Sequence, residues 1–222
     1  MPLSQKLQLL GLVNPSHVSV TTNDLLVILD YPKVKIFNRA YQQCLHHFQP
    51  GPDLHSIPSC LAVDKNLIAV GYDDKEKISL HNLNGCLIKV LSAPMMGEHL
   101  SIHRQQFVYI SRDKKKLQAV DINGKSIFSS DIHGNPSDSQ AHGLCHDSEG
   151  DIYVAVHAGR LKEGEIQHFS PDGTYTGCVH RVRGYPAGIA FTPASDLAIA
   201  AERSVKIYPS GPTIHRQNAL RK

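Results

Sequence analysis

The residues best suited to chemistry form a basic run, Arg112-Asp113-Lys114-Lys115-Lys116. Cationic side chains neutralise phosphates, and an interface built on them weakens steeply with salt. Aromatic side chains beside such a run would offer stacking platforms for bases. The candidate residues for binding RNA or a protein partner are Arg112, Lys114, Lys115 and Lys116 of this run, together with Lys33, Lys75, Arg160, Lys162, Arg181 and Arg183 and the tyrosines Tyr72 and Tyr185.

Acidic residues are interspersed among these basic ones. Asp74 is adjacent to Lys75, Asp113 divides the basic run, and Glu163 follows Lys162. The formal net charge of +3 is too small to require a nucleic-acid partner. A mixed, solvated loop surface is therefore the alternative interpretation of the basic residues.

Histidine is the other residue type that invites a chemical interpretation, since the chain carries 14 of them. His99 and His103, and likewise His142 and His146, have the spacing of metal ligands on a helix. On a strand the same spacing spans ~13 Å, too far for one Zn²⁺ ion with bonds of about 2.1 Å. No paired carboxylates and no nucleophile with a neighbouring base accompany them. The sequence therefore predicts a protein that is not an enzyme and holds no metal or cofactor.

The elements that must position these residues repeat along the chain. A short alternating strand recurs five times at steps of 39 to 45 residues. Its copies begin at His17, Cys60, His99, Gly143 and Gly188. Each copy is followed by a second apolar strand and a third strand that ends at turn residues. The pairs Asn84-Gly85, Asn123-Gly124 and Asp172-Gly173 predict tight hairpins, because both residues of each pair tolerate positive φ.

A fourth strand follows in four of the five repeats. In the fifth, the chain after Tyr208 continues into Pro-Ser-Gly-Pro and a polar tail. The apolar segment Leu7–Leu12 precedes the first repeat at the spacing of a fourth strand, and we expect it to complete the last blade. The sequence therefore predicts an all-β protein, a β-propeller of five four-stranded blades closed by the N-terminal strand. It would occupy residues 1–212, with a polar basic tail over residues 213–222.

The fourth repeat, from Gly143 to Gly177, resembles an NHL repeat, whose pattern is Pro-x-Gly-Ile-Ala-Val-Asp followed by Ile-Tyr-Val-Ala-Asp. The segments Pro58–Asp64 and Pro186–Phe191 follow the same pattern. Over nearly its whole length the chain is similar to the C-terminal propeller of tripartite-motif proteins of the ubiquitin-ligase class. This resemblance implies a binding module that recruits a protein partner or ligase substrate. RNA binding through a basic loop face, as in some NHL propellers, is the alternative.

Two further features bear on the ligand. A metal-dependent propeller lyase or hydrolase is the less favoured alternative, and it would need ligands from different blades, such as His17, Cys60, His99 and His142. The loop Ala93–Met96 is expected on the same face as the basic run. It would suit a protein ligand, because methionine adapts its shape to apolar surfaces.

Features that are missing from the sequence bear on the cellular compartment and on the partners of the chain. Five cysteines without CxxC spacing favour a reduced, cytoplasmic setting. No apolar stretch approaches the ~18 residues of a membrane-spanning helix, so no membrane partner is expected. No cluster of Cys and His at zinc-ligand spacing precedes the repeats, so ligase chemistry is not expected within this chain.

Overall fold

The structure is a computed structural model. It describes residues 9–40, 42–51, 56–134, 139–158, 163–201 and 204–209. The chain divides into two compact units, Met1–Pro94 and Met95–Lys222. Across the described ranges all regular secondary structure is β-strand, and no helix that could cross a membrane is found there.

The first unit contains two antiparallel four-stranded sheets, each with its strands in chain order. The first sheet consists of β1 (Pro15–Val20), β2 (Leu25–Asp30), β3 (Lys33–Asn38) and β4 (Gln43–Phe48). The second consists of β5 (Cys60–Asp64), β6 (Leu67–Tyr72), β7 (Lys77–Asn82) and β8 (Leu87–Ser92).

The second unit contains three antiparallel sheets. The third sheet consists of β9 (Met96–His103), β10 (Gln106–Ser111), β11 (Lys116–Val120) and β12 (Ser126–Asp131). The fourth consists of β13 (Ser139–His146), β14 (Ile152–Ala158), β15 (Glu163–Phe169) and β16 (Tyr175–Arg183). The fifth has three strands within the described residues, β17 (Pro186–Phe191), β18 (Leu197–Ala201) and β19 (Ser204–Tyr208). The predicted all-β, five-bladed β-propeller class is confirmed.

The predicted closing strand is not found in the part of Leu7–Leu12 that the structure describes. Residues 9–12 have no strand conformation, and Leu9 and Leu12 pack against Leu26, Ile28 and Phe37 of the first sheet. These contacts partly bury Leu9 and Leu12, whereas Leu10 remains 74% exposed. Residues 1–8 lie outside the described residues.

Asp30, at the end of β2, holds the chain that follows this segment. Its carboxylate accepts the backbone N–H of Val13 at 2.9 Å and of Asn14 at 2.5 Å, and pairs with Lys35 Nζ at 2.5 Å. Burial by itself would raise the pKa of Asp30, but the hydrogen bonds from Lys35, Asn14 and Val13 outweigh it and hold the pKa below its usual value. The Lys35 ammonium also donates to the Gly11 carbonyl. The start of the described chain is thereby fixed to the first sheet.

The core is formed where neighbouring sheets of a unit face each other. The second strands β2, β6 and β10 are buried at five of six positions, because apolar side chains meet them on both faces. Leu29 and Ile68 share one buried cluster in the first unit, and Val108 and Val154 share another in the second. The outer strands β4, β8 and β12 are mostly exposed.

Two turn glycines receive an aromatic ring from the preceding sheet of the same unit. Gly85 (φ +80°) lies against Phe48 of β4, and Gly173 (φ +84°) lies against Phe128 of β12. A Cβ at either glycine would collide with the ring, and positive φ is unfavourable for other residues. The two hairpins were predicted from Asn84-Gly85 and Asp172-Gly173, and the sheet contact adds a second requirement for glycine.

Gly164 in β15 and Gly188 in β17 form a matched pair for testing the packing of the fourth sheet on the fifth. A Cβ at Gly164 would collide with the Pro186 ring, whereas a Cβ at Gly188 would meet nothing within 4 Å. We expect Gly164→Ala to lower the free energy of unfolding by ~1–3 kcal/mol through overpacking. Gly188→Ala should leave it unchanged or raise it by about 0.5 kcal/mol. Urea unfolding followed by circular dichroism measures both, and equal midpoints would contradict this packing.

Candidate partner-binding surface

The basic run lies in the turn that joins β10 to β11. The Ser111 hydroxyl donates to the Asp113 carboxylate, and Ser111 Oγ accepts the Lys116 N–H at 2.9 Å. Asp113 also accepts the Lys115 N–H at 3.2 Å. The Ser111 hydrogen bond, more than any other contact, lowers the pKa of the Asp113 carboxyl. Asp113 therefore stabilises the turn through these hydrogen bonds, and Arg112 and Lys115 are exposed on it.

Three other predicted cations of the second unit lie next to carboxylates. Lys116 Nζ is 3.8 Å from Asp131, in a pair whose side chains are 49% and 80% exposed. Arg181 and Arg183 are exposed on the outer strand β16, where each lies opposite a glutamate of β15, Glu165 and Glu163 respectively. Carboxylates are therefore interspersed among the predicted cations of this unit.

The first unit holds three of the predicted residues. Lys33 is exposed and lines a cleft of about 460 Å³ together with Tyr31. Lys75 is exposed, with its Nζ 3.8 Å from Asp74. Tyr72, predicted as a stacking platform, is fully buried, and its hydroxyl lies 3.0 Å from Ser79 Oγ. That prediction was wrong, because the ring fills the core between the first two sheets.

The remaining predicted cations, Arg160 and Lys162, lie outside the described residues.

A chain of four rings crosses the third, fourth and fifth sheets. His99 of β9 meets His142 of β13, with ring centroids 6.5 Å apart. Tyr185, just before β17, contacts His142 at 4.5 Å and His157 of β14 at 4.4 Å. The Tyr185 hydroxyl hydrogen-bonds the His142 ring, with 3.0 Å to Nδ1. The ring chain thus joins three blades of the second unit.

His142 and Tyr185 are uncharged at neutral pH. Burial, and then the nearby charges of Lys114 and His157, lower the pKa of His142 to about 4. Burial raises the pKa of the Tyr185 hydroxyl. The charge of Lys114 acts on His142, so the aromatic strip formed by these rings lies within electrostatic reach of the cationic turn.

Met95 adds an exposed apolar side chain beside the turn. Its carbonyl accepts the Arg112 N–H at 2.7 Å, and its side chain is 45% exposed. Tyr185 is 38% exposed. We use the name ring-and-loop surface for the set formed by Met95, Arg112, Lys114, Lys115, His142 and Tyr185. Of the predicted loop Ala93–Met96, Ala93 and Met96 are buried.

The equivalence of blades explains which rings meet. His99 and His142 occupy matching positions in adjacent blades, as do His103 and His146, whose rings stack at 5.7 Å. From sequence, His99 and His142 were candidates for packing or for a less favoured metal site, and His157 was not predicted. The feature that could have indicated His157 is a polar ring near the end of an otherwise apolar strand, Ile152–Ala158. Within the described ranges, no group of three or more His, Cys, Asp or Glu side chains could hold a metal ion.

Comparison with known proteins places the chain in the β-propeller class through its fold alone. No family model matches it, and no curated protein matches its sequence. It is similar to hydrazine synthase from Kuenenia stuttgartiensis, with a TM-score of 0.63 and 10% identity, over 92% of this chain and 60% of that one. This chain therefore spans less than two thirds of the hydrazine synthase chain.

Two other similar solved chains come from protein assemblies. One is from the mitotic checkpoint complex, with a TM-score of 0.63 and 14% identity, over 88% of this chain and 76% of that one. The other is from the nidogen/laminin complex, with a TM-score of 0.59 and 14% identity, over 77% of this chain and 67% of that one. The β-propeller fold is thus compatible with a protein-binding scaffold, and it also occurs in an enzyme.

Proposed function

We propose that this chain is a non-catalytic binding module that recruits a protein partner through the ring-and-loop surface. The observation that carries this proposal is the presence in one unit of exposed Met95 and Tyr185. Arg112 of the cationic turn is hydrogen-bonded to Met95, Tyr185 is hydrogen-bonded to His142, and the charge of Lys114 acts on His142. Tyrosine, methionine and arginine are enriched in the buried centres of protein interfaces. An apolar strip with a cationic border suits a partner segment that carries apolar and acidic side chains.

The arrangement of charges favours protein over RNA. Lys116, Arg181 and Arg183 each lie near or opposite a carboxylate, and Asp113 is built into the basic turn itself. Backbone phosphates would meet these acids along with the cations. Tyr185 is contacted by two imidazoles, which leaves less of its ring for stacking on a base.

The similarity to chains from the mitotic checkpoint and nidogen/laminin complexes supports a role in protein assembly. The NHL-like repeat pattern supports a more specific role, the recruitment of a substrate to a ubiquitin-ligase-type protein of the tripartite-motif class. Ligase chemistry would then belong to another domain or protein, and this chain would supply recognition.

The proposal is tested by cross-linking followed by measured binding. A photo-reactive residue at position 95 traps the partner for identification, and the affinity of the purified pair is then measured by calorimetry. We expect Tyr185→Ala to weaken binding by at least ~30-fold, as for a central interface residue. Ile127→Ser, a similarly exposed apolar change on the outer strand β12, serves as the control and should alter affinity by less than about twofold. Equal effects of the two changes would contradict the proposed surface.

RNA is the second candidate, favoured by the exposed Arg112 and Lys115 on the fixed turn. Fluorescence anisotropy with a randomised RNA pool at several salt concentrations tests it. Micromolar binding that weakens steeply with salt and is lost in the double variant Lys114→Glu, Lys115→Glu would make RNA the ligand. The protein-binding proposal predicts no such binding at physiological salt.

A further inference from the structure

A cleft of about 460 Å³ lies in the first unit, between residues 10–13 and one face of strands β3 and β4. Clefts that bind small molecules usually measure ~300–1,000 Å³. The described residues that line this cleft all belong to the first unit, whereas the ring-and-loop surface belongs to the second. The cleft is therefore a separate candidate site.

Strand register explains why one wall of the cleft is cationic at one end and apolar at the other. Lys33, Lys35 and Phe37 alternate along β3, so they point to the same side of the sheet. Lys33 is exposed, whereas Phe37 is fully buried. On β4, His47 lies opposite Lys35 and Cys44 lies opposite Phe37, and directly opposite residues share a face. The wall thus runs from a cationic rim to an apolar floor.

The chain before β1 and the turn after β2 supply further apolar surface. Leu10 and Val13 line the cleft and are 74% and 85% exposed. Tyr31 also lines it, and its ring is partly exposed. Ligand clefts are lined mainly by apolar and aromatic side chains, with a few polar groups that orient the ligand. This lining suits a ligand whose larger part is apolar.

Three polar side chains of the lining are available to a ligand. Within the described part of the chain, the Tyr31 hydroxyl, the Lys33 ammonium and the His47 imidazole make no hydrogen bond or ion pair. All three groups can donate hydrogen bonds. A ligand atom that accepts hydrogen bonds would therefore find donors at the cationic end of the cleft.

The charge of the lining favours an anion. The Asp30 carboxylate, which also lines the cleft, is already paired with Lys35 and accepts two backbone N–H groups. The charges of Asp30 and Lys35 offset each other, and Lys33 leaves the described lining with a net positive charge. A ligand with one negative charge would complement it.

We propose that this cleft binds a small organic acid, a molecule with one carboxylate or sulfonate group on a flat apolar body. The Lys33 ammonium pairs with the anionic group in a charge-assisted hydrogen bond. Tyr31 and His47 donate to the same group, and the apolar body covers Leu10 and Val13. The site goes beyond the proposed recruitment of a protein partner and does not depend on it.

A fluorescent organic acid tests the site directly. The probe is 8-anilinonaphthalene-1-sulfonate, which joins one sulfonate to an aromatic body, titrated into the full-length protein. We expect Lys33→Glu to raise the Kd of the probe by at least ~10-fold, as for loss of a hydrogen bond to a charged group. The control is Lys77→Glu, an exposed lysine that begins β7 as Lys33 begins β3, and it should change the Kd by less than about twofold.

Competition separates the role of the charge from that of the apolar body. We expect 1-naphthoate to displace the probe. The neutral 1-naphthalenemethanol, which has the same rings, should need a concentration at least ~10-fold higher, because it cannot pair with Lys33.

The cysteines of the first unit locate the bound probe in the unsubstituted protein. Cys44 lines the cleft, Cys86 is exposed but does not line it, and Cys60 is buried. Alkylation by iodoacetamide is followed at each cysteine by mass spectrometry. Probe at about ten times its Kd should slow alkylation of Cys44 by at least ~5-fold, since the free cleft is then a minor species. Alkylation of Cys86 should be unchanged, and Cys60 should stay unreacted.

Four results would overturn the proposal. The first is absence of probe binding, and the second is an equal Kd for the two lysine variants. The third is equal slowing at Cys44 and Cys86, which would mean that the probe coats the surface. The fourth is alkylation of Cys60 in the presence of the probe, which would mean that the probe binds a partly unfolded chain.

Discussion

Replacing Asp30 by Asn is expected to lower the free energy of unfolding by about 3–5 kcal/mol, the range for breaking a buried ion pair from one side. The side chains of Asp30 and Lys35 are only 2% and 15% exposed, so loss of the carboxylate leaves the ammonium with little solvent. An amide also presents its NH₂ group toward donors, the N–H groups of Val13 and Asn14 and the Lys35 ammonium. Since the chain has no tryptophan, unfolding is best followed by circular dichroism in urea.

The matched control is Asp24→Asn. Asp24 pairs with Arg39 at 2.8 Å, but these side chains are 62% and 55% exposed. Pairs of this kind contribute less than about 1 kcal/mol. An equally small change in the free energy of unfolding for Asp30→Asn and Asp24→Asn would contradict this prediction. It would mean that the hydrogen bonds from Asp30 to residues 13 and 14 do not stabilise the first sheet.

The second large effect is a loss of stability in mild acid caused by partly buried histidines. Burial, and then the neighbouring His103, lower the pKa of His146 to about 3. Between pH 6.5 and that value the unfolded chain binds a proton at this residue and the folded chain does not, so the free energy of unfolding falls as the pH falls. One such group gives a slope of about 1.4 kcal/mol per pH unit. His142 adds a smaller slope above about pH 4, because it is partly exposed and solvent screens it.

Urea unfolding at pH 7, 6, 5 and 4.5 measures this slope. Carboxylates with lowered pKa, such as Asp30 and Asp113, lose their stabilising effect only below their unfolded value near 3.8, outside this window. His146→Asn keeps a polar atom near Ser101 Oγ, which lies 2.7 Å from Nδ1, and should reduce the slope by about one proton. The exposed His47→Asn serves as the control. A slope unchanged by His146→Asn would contradict the burial of a neutral ring.

The strands could be predicted because their signal is local. Alternating and apolar runs bounded by turn residues recur at a nearly constant step, and Gly85, Gly124 and Gly173 all have the positive φ that their turns require. Residues 9–12, the described part of the predicted closing segment, do not form a strand, and the reason is physical. An apolar run such as Leu7–Leu12 loses its exposed surface equally well as a strand or as a loop packed on a sheet, and the observed contacts of Leu9 and Leu12 are of the second kind.

The candidate surface was harder to predict, because it depends on strand register and on the packing of one sheet against another. Tyr72 stands at the end of a strand, where exposure is common, yet the face of the neighbouring sheet buries it. The glutamates opposite Arg181 and Arg183 follow from strand register, which a one-residue shift would change. The meeting of Tyr185 with His142 and His157 requires the packing of two sheets, and no spacing along the chain reveals it.

The contact between a turn glycine and the ring of the preceding sheet bears on how repeats can be added to such a protein. In each of the two contacts, one repeat supplies the ring on its fourth strand and the next repeat supplies the glycine in its hairpin. The pairs are Phe48 with Gly85 and Phe128 with Gly173. A segment that carries both a ring and a glycine could therefore form this contact with the repeat before it and with the repeat after it. Duplication of such a segment would bring a ready-made interface with it, and a side chain in place of Gly85 or Gly173 would have to displace the ring of the preceding sheet.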